Sequence, residues 1–192
     1  MDLRALLQES LEAARTVKVA GVSKQAVHSA RSRAWVEALA ADLFESLRDD
    51  PMVRVFSKHN DTHRAEFGLN ELLYDIVACR VGTVTSPMHH KTLVYVEKVL
   101  WQIESEFAKN TRHALADFNK LVLGSAKSKL FIGPQVYNNQ AFIKTLLPAA
   151  RACTGNVYLA LIPHPAQWEQ GDYRIDVWAC INGQWEVLKR EG

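Results

Sequence analysis

The stretch that decides the fold is Leu100-Trp101-Gln102-Ile103-Glu104-Ser105-Glu106-Phe107. It is typical of a β-strand, in which successive side chains point to opposite faces of the sheet. One face then carries Trp101, Ile103, Ser105 and Phe107, and the other carries Gln102, Glu104 and Glu106. Two carboxylates on one face repel each other and raise each other's pKa unless a cation lies between them. The pattern predicts either a Mg²⁺ site, since Mg²⁺ prefers oxygen ligands, or a solvated strand end with two exposed glutamates.

Length and composition narrow the class of protein. The 192 residues, of which 48% are hydrophobic, predict one packed domain over residues 1–192, with residues 1–22 as a candidate N-terminal helical extension. The net charge of +2 permits contact with a polyanion without requiring it. The three cysteines form no CxxC pair, so neither a disulfide framework nor a zinc site is indicated. With no long apolar run and no leader-like start, we expect a cytoplasmic protein without a membrane partner.

Helices and strands alternate along the chain. Helices are expected within residues 1–48, over 109–124 and over 138–152. Strands are expected over residues 51–58, 72–81, 93–107 (one strand or a hairpin), 129–134, 157–162, 173–181 and 184–189, with a polar loop at 59–66 and a turn at 82–91. Near-continuous apolar strands are typical of a sheet that is covered on both faces. The sequence therefore predicts an α/β fold with a central mixed sheet flanked by helices.

A third acid, Asp75, lies among Leu73, Ile76 and Val77 in the expected 72–81 strand. An acid in an apolar central strand is costly unless it is paired or coordinated, which favours a functional role. Carboxylates on neighbouring strands can meet in space. Asp75, Glu104 and Glu106 could then surround one or two Mg²⁺ ions, with Asp75 and Glu104 on adjacent strands and Glu106 on the same side as Glu104.

The order of these elements, with Asp75 on one strand and Glu104-Ser105-Glu106 on the next, resembles the PD-(D/E)XK nuclease superfamily. The likeness spans residues 30–165 and includes Asp117-Phe118-Asn119-Lys120 on the following helix and Lys129-Leu130-Phe131-Ile132 on the following strand. It implies a restriction-endonuclease-like fold. It also implies that Asp75 and Glu104 hold Mg²⁺ (or Mn²⁺), while Glu106, in the last motif position, positions or activates the attacking water.

The sequence departs from the pattern of the superfamily at two positions. Tyr74 stands where proline is frequent, and that proline has no chemical role. Glu106 stands where lysine is usual, a change that some restriction enzymes share and that also leaves room for an inactive site. Lys120 could replace the missing lysine, or it could pair with Asp117 three residues earlier on the helix surface.

Two further acids are candidates for the metal site. The superfamily sometimes supplies an acid from the helix before the strands, and Glu37 occupies that place. Glu71 could face the same site from the start of the Asp75 strand. For each, a solvated surface position is the alternative.

These residues predict a metal-dependent nuclease that hydrolyses phosphodiester bonds, with DNA a better candidate than RNA. A metal could generate hydroxide and polarise the phosphoryl oxygen. One alternative is a catalytically inactive module of the same fold that binds nucleic acid or protein. Another is an α/β protein with an unrelated ligand. A homodimer is compatible with each of them.

Overall fold

The computed structural model describes residues 1–17, 23–108, 110–168 and 173–188. Within these ranges the strands are β1 (Val53–Ser57), β2 (Ile76–Thr85), β3 (Thr92–Ser105), β4 (Ser128–Pro134), β5 (Asn156–Ile162), β6 (Asp176–Ile181) and β7 (Gln184–Val187). The helices are α1 (Leu3–Arg15), α2 (Lys24–Leu47), α3 (Arg64–Phe67), α4 (Thr111–Leu123) and α5 (Asn139–Ala152), and a 3₁₀ turn spans Pro165–Gln167.

The seven strands form one sheet in which their spatial order follows their order in the chain. The first three strands are antiparallel, β3, β4 and β5 are parallel, and β6 and β7 return as antiparallel strands. Parallel neighbours need a crossover connection, which α4 and α5 provide. The expected mixed α/β sheet with flanking helices is confirmed.

Two apolar cores lie on the two faces of the sheet. One contains the buried leucines of α1 and α2 together with Ile103, and the other contains Phe118 of α4 and Phe131 of β4. The alternation expected for β3 places Gln102 and Glu104 on the α4 side, where the Gln102 Oε1 atom accepts a hydrogen bond from the Ala126 N–H at 3.1 Å. The glutamate that opens the Glu-Ser-Glu motif therefore lies under a helix.

Several expected boundaries are wrong. The strand expected over 72–81 begins only at Ile76, because a tight turn closes before it: the Tyr74 N–H donates to the Leu72 carbonyl at 2.8 Å, and Leu73 has a φ of 66°. The turn expected over 82–91 is shorter, since β2 continues to Thr85. The loop expected over 59–66 runs into α3, and the strand expected over 173–181 begins at Asp176.

The N-terminal helix packs into the main core. Leu7 and Leu11 of α1 are fully buried in the same core as α2. Residues 18–22, which end the expected N-terminal extension, lie outside the described residues, as do Lys109 and Lys189 at the ends of the expected 109–124 helix and 184–189 strand. No helix in the described part of the chain is long and apolar enough to cross a membrane.

Candidate functional site

Asp75 is fixed at the point where β2 begins. Because β2 and β3 are antiparallel, the start of β2 lies beside the end of β3. The Asp75 Oδ2 atom accepts two hydrogen bonds from Ser105, one from its backbone N–H at 2.8 Å and one from its hydroxyl at 2.6 Å. The half-buried carboxylate is therefore held next to Glu104, the preceding residue of β3.

Glu104 is buried beneath α4, with 1% of its surface exposed. Its Oε2 atom accepts a hydrogen bond from the Lys120 ammonium group at 3.2 Å, and the same group lies 2.9 Å from Asp117. Its Oε1 atom is buried and has no hydrogen-bond partner within the described residues. A buried carboxylate oxygen without a partner is unfavourable, so this atom marks a place where a cation or a donor would stabilise the protein.

Lys120 makes both of the contacts that the sequence left as alternatives. It pairs with Asp117 along α4 and also reaches Glu104 on β3. Helix α4 turns its apolar stripe, which contains Ala114, Phe118 and Leu121, toward the sheet. Lys120 lies beside that stripe, and its side chain is 47% exposed. A cation that bridges a buried acid and solvent is thus part of the site.

The electrostatics of this cluster follow from its burial. Burial, together with the charge of Asp75, raises the pKa of Glu104 to about 8, although Lys120 offsets part of the rise. Burial alone lowers the pKa of Lys120, but the contacts with Asp117 and Glu104 outweigh it and hold that pKa above its usual range. The pKa of Tyr74, whose hydroxyl donates to the Lys120 carbonyl at 3.1 Å, is also raised by burial and by the charge of Glu104. Burial therefore disfavours the charged form of Glu104, and a cation bound beside it would favour that form.

Glu106 does not join Glu104. Ser105 is the last residue of β3 in register with β4, and the Glu106 N–H still donates to the Ile132 carbonyl at 2.9 Å. The Glu106 Oε1 atom accepts a hydrogen bond from the Ala108 N–H at 2.6 Å, and the residue lines a cleft bounded by α2. Glu106 thus borders the cleft, whereas Glu104 is buried beneath α4.

The cleft beside Asp75 is the feature that the sequence did not indicate. It has a volume of about 660 Å³, and Asp75, Ser105 and Glu106 form one wall. The opposite walls carry the cationic or titratable side chains of His28, Arg33, Lys58, His59 and His164. These residues come from α2, from the segment after β1 and from the segment after β5. Only the fold brings them together, so no local pattern could have found the cleft.

The two remaining sequence candidates do not line the cleft. Glu37 is half-buried on α2, next to Val36, which lines the cleft, although Glu37 itself does not. Glu71 is exposed before the tight turn that precedes Asp75. The structure thus brings together Asp75, Glu104 and Lys120, and Glu106 lines the cleft together with Asp75.

Among the described residues, no group of three or more His, Cys, Asp or Glu side chains is arranged to hold a metal ion. Mg²⁺ commonly binds through only one or two carboxylates and keeps several waters. Asp75 and the unpartnered oxygen of Glu104 fit that donor set.

Comparisons of the chain with family models, with curated proteins and with solved structures find no match.

Proposed function

We propose that this chain is a metal-dependent nuclease that hydrolyses phosphodiester bonds, in DNA rather than RNA, with Mg²⁺ or Mn²⁺ held by Asp75 and Glu104. The buried Glu104 Oε1 atom, which has no hydrogen-bond partner among the described residues, carries the proposal. Its neighbour Asp75 adds a second carboxylate, whose charge acts on Glu104. The proposal includes a restriction-endonuclease-like fold. It is supported by the order of α2, the antiparallel strands β1–β3, α4, and β4 parallel to β3.

Each residue of the cluster has a distinct role in this proposal. A divalent cation, when bound, lowers the pKa of a water ligand and polarises the phosphoryl oxygen. Lys120 holds Glu104 in place and offers its partly exposed ammonium group to a phosphate oxygen. Ser105 orients Asp75 through two hydrogen bonds. Glu106, on the cleft wall, accepts a proton from the attacking water.

The adjoining cleft fits a phosphodiester substrate. Arg33 and Lys58 lie on its walls together with three histidines, and basic side chains supply most of the affinity of proteins for a nucleic-acid backbone. Asp75 belongs both to this cleft and to the carboxylate pair. A phosphate held by Arg33 or Lys58 would therefore lie beside the proposed metal.

A catalytically inactive nucleic-acid-binding or protein-interaction module is the second candidate. It is favoured by the partners that the acids already have, because Ser105 satisfies Asp75 and Lys120 pairs with Glu104. In that case the cleft binds nucleic acid and no bond is broken. Loss of the motif lysine at position 106 agrees with this candidate.

Cleavage of supercoiled plasmid in Mg²⁺, in Mn²⁺ and in chelator distinguishes the two. The proposed nuclease cleaves only with metal, and Asp75→Asn or Glu104→Gln removes nearly all of the cleavage. The matched control Glu186→Gln, which neutralises an exposed acid on β7, retains it. Calorimetric titration with Mn²⁺ gives a second readout, since both site variants should lose metal affinity. A wild-type protein that binds DNA but neither binds metal nor cleaves overturns the nuclease and supports the module.

A further inference from the structure

The hairpin of β2 and β3 extends beyond the rest of the sheet. β1 pairs with β2 only as far as Arg80, and β4 pairs with β3 only from Trp101 onward. Residues 82–96, which we call the arm, form a ribbon whose two strands pair with each other from Gly82↔Tyr95 to Thr85↔Thr92. Two register shifts lie at its base, between Ala78 and Cys79 and between Arg80 and Val81. Such irregularities bend a strand and increase its twist, so they set the direction in which the arm projects.

The arm exposes apolar side chains that the core does not use. The Tyr95 ring covers Gly82, where a Cβ atom would lie 2.7 Å from the ring. Val84 and Leu93 pair on the same ribbon and are each 50% exposed, and Met88 at the tip is 81% exposed. A cluster of exposed apolar side chains of this kind usually marks a binding surface.

The charged and polar side chains of the arm favour a polyanion as its partner. Residues 82–96 contain no aspartate or glutamate, and they include Lys91, His89 and His90. Hydroxyl groups of Thr83, Thr85 and Thr92 add hydrogen-bond donors along the exposed strands. A ribbon with cationic and hydroxyl groups and no acid is complementary to a polyanion.

Hydrogen bonds fix the tip of the arm. The Ser86 N–H donates to the Lys91 carbonyl at 2.8 Å, and the Ser86 carbonyl accepts from the His90 N–H at 2.9 Å. The His89 N–H donates to the Ser86 hydroxyl at 3.3 Å. These bonds close the loop around Pro87 and Met88. Met88 is thus displayed on a preorganised turn, with Lys91 on the returning strand.

The span of β2 from Asp75 toward the tip of the arm is close to the repeat of a DNA duplex. β2 has ten residues, begins directly after Asp75 and ends at the tip, a span of about 33 Å for an extended strand. One helical turn of B-DNA is about 34 Å long. A duplex that crosses the protein surface in the direction of β2, with one phosphate beside Asp75, would present the same groove again near Met88.

We infer that the arm is a DNA-gripping ribbon that enters a groove of double-stranded DNA one turn away from the cleft. Met88, beside Pro87, packs as an apolar wedge against a base step, as such side chains do in minor-groove proteins, and Lys91 contacts a phosphate. The inference rests on the proposed function for DNA as the substrate. It adds an anchoring surface that is separate from the residues that hold the metal.

Binding measurements in chelator test the arm without cleavage. The probe is a fluorescein-labelled 30-base-pair duplex, followed by anisotropy at several salt concentrations. Met88→Ser should weaken binding about tenfold, as expected when a large apolar side chain is lost from a contact, and should leave the salt dependence unchanged. Lys91→Gln should reduce the slope of log affinity against log salt by about 1. The controls Val187→Ser, an exposed apolar residue on β7, and Lys144→Gln, an exposed lysine on α5, should bind like the wild type.

The outcomes separate the arm from the nuclease. Duplex binding that depends on Met88 in a protein that never cleaves supports the arm and overturns the proposed activity. Cleavage that depends on Asp75, with wild-type binding by Met88→Ser and Lys91→Gln, supports the activity and overturns the arm. Sedimentation that shows a wild-type dimer converted to monomers by Met88→Ser, with duplex affinity unchanged, assigns the arm to a second copy of the chain and also overturns the inference.

Discussion

Replacing Glu104 with glutamine should stabilise the metal-free protein, and the gain should grow with pH. Burial raises the pKa of Glu104 from an ordinary 4.5 to about 8. Below the lower value the carboxyl is neutral in both the folded and the unfolded chain. Between the two values only the unfolded chain releases the proton, so the free energy of unfolding falls as pH rises. Above about pH 8 the loss levels off.

The size of the effect follows from the two pKa values. At 1.36 kcal/mol per pKa unit, the free-energy difference between Glu104→Gln and the wild type should increase by about 4 kcal/mol from pH 5 to pH 9. The side chain is fully buried and the two residues have nearly the same shape, so packing changes little. Lys120 keeps its pairing with Asp117 in the variant.

Urea unfolding in chelator, followed by circular dichroism at intervals between pH 5 and pH 9, measures this difference. Glu186→Gln, which removes an exposed carboxylate, is the matched control and should leave the unfolding free energy close to that of the wild type throughout. A Glu104→Gln difference that does not change with pH, or that becomes unfavourable at high pH, would show that Glu104 is not a neutral buried acid. The argument for a cation site at its Oε1 atom would then fail.

Three other changes probe the neighbours of Glu104. Ser105→Ala removes the hydroxyl that donates to Asp75 and should lower the unfolding free energy by about 1 to 2 kcal/mol and weaken Mn²⁺ binding. The control Thr145→Ala, which removes an exposed helical hydroxyl, should lower the unfolding free energy by less than about 0.5 kcal/mol. Equal losses in the two variants would contradict the positioning role of Ser105. Lys120→Ala should destabilise the protein more at pH 9 than at pH 6 in urea titrations, because the charged form of Glu104 then loses its nearest cation; a loss that is the same at both pH values argues against this pairing. Arg33→Gln and Lys58→Gln should each reduce the slope of log affinity for duplex DNA against log salt by about one released counterion. Unchanged slopes would show that the cleft does not bind DNA.

The sequence was sufficient for the parts of the fold that local periodicity controls. The alternation of Gln102, Ile103 and Glu104 predicted which side chains face each core, and the structure places Ile103 and Glu104 on opposite sides of the sheet. The returning strand of the arm lay within the strand expected over 93–107, but the outgoing strand, Gly82 to Thr85, was expected as a turn because Gly82 and Pro87 are turn signals and the threonines and valine between them have no core to produce a pattern. A strand that is exposed on both faces lacks the alternation that marks a half-buried one.

The site was harder to predict, because its side chains come from separate elements. Asp117 and Lys120 are three residues apart on any helix, but only the packing of α4 on β3 decides that Lys120 also meets Glu104. Glu106 borders a cleft that is formed with residues of α2, and the letters Glu-Ser-Glu do not reveal that cleft. His28, Arg33, Lys58 and His164 meet in one cleft because α2 and the segments after β1 and β5 converge there.

Glu104 and Glu106 have different surroundings, and this difference separates their roles in the proposed reaction. Asp75 is shared, because its charge acts on Glu104 beneath α4 while its side chain lines the cleft that Glu106 borders. Because Asp75 lines the cleft, a cation held by Asp75 and Glu104 would be accessible from it. A phosphate held by Arg33 or Lys58 would share the cleft with Glu106. On this arrangement Glu106 contacts the water and the substrate rather than the cation, so Glu106→Gln should slow cleavage while leaving the calorimetric affinity for Mn²⁺ unchanged. A loss of Mn²⁺ affinity equal to that of Asp75→Asn would instead place Glu106 among the metal ligands.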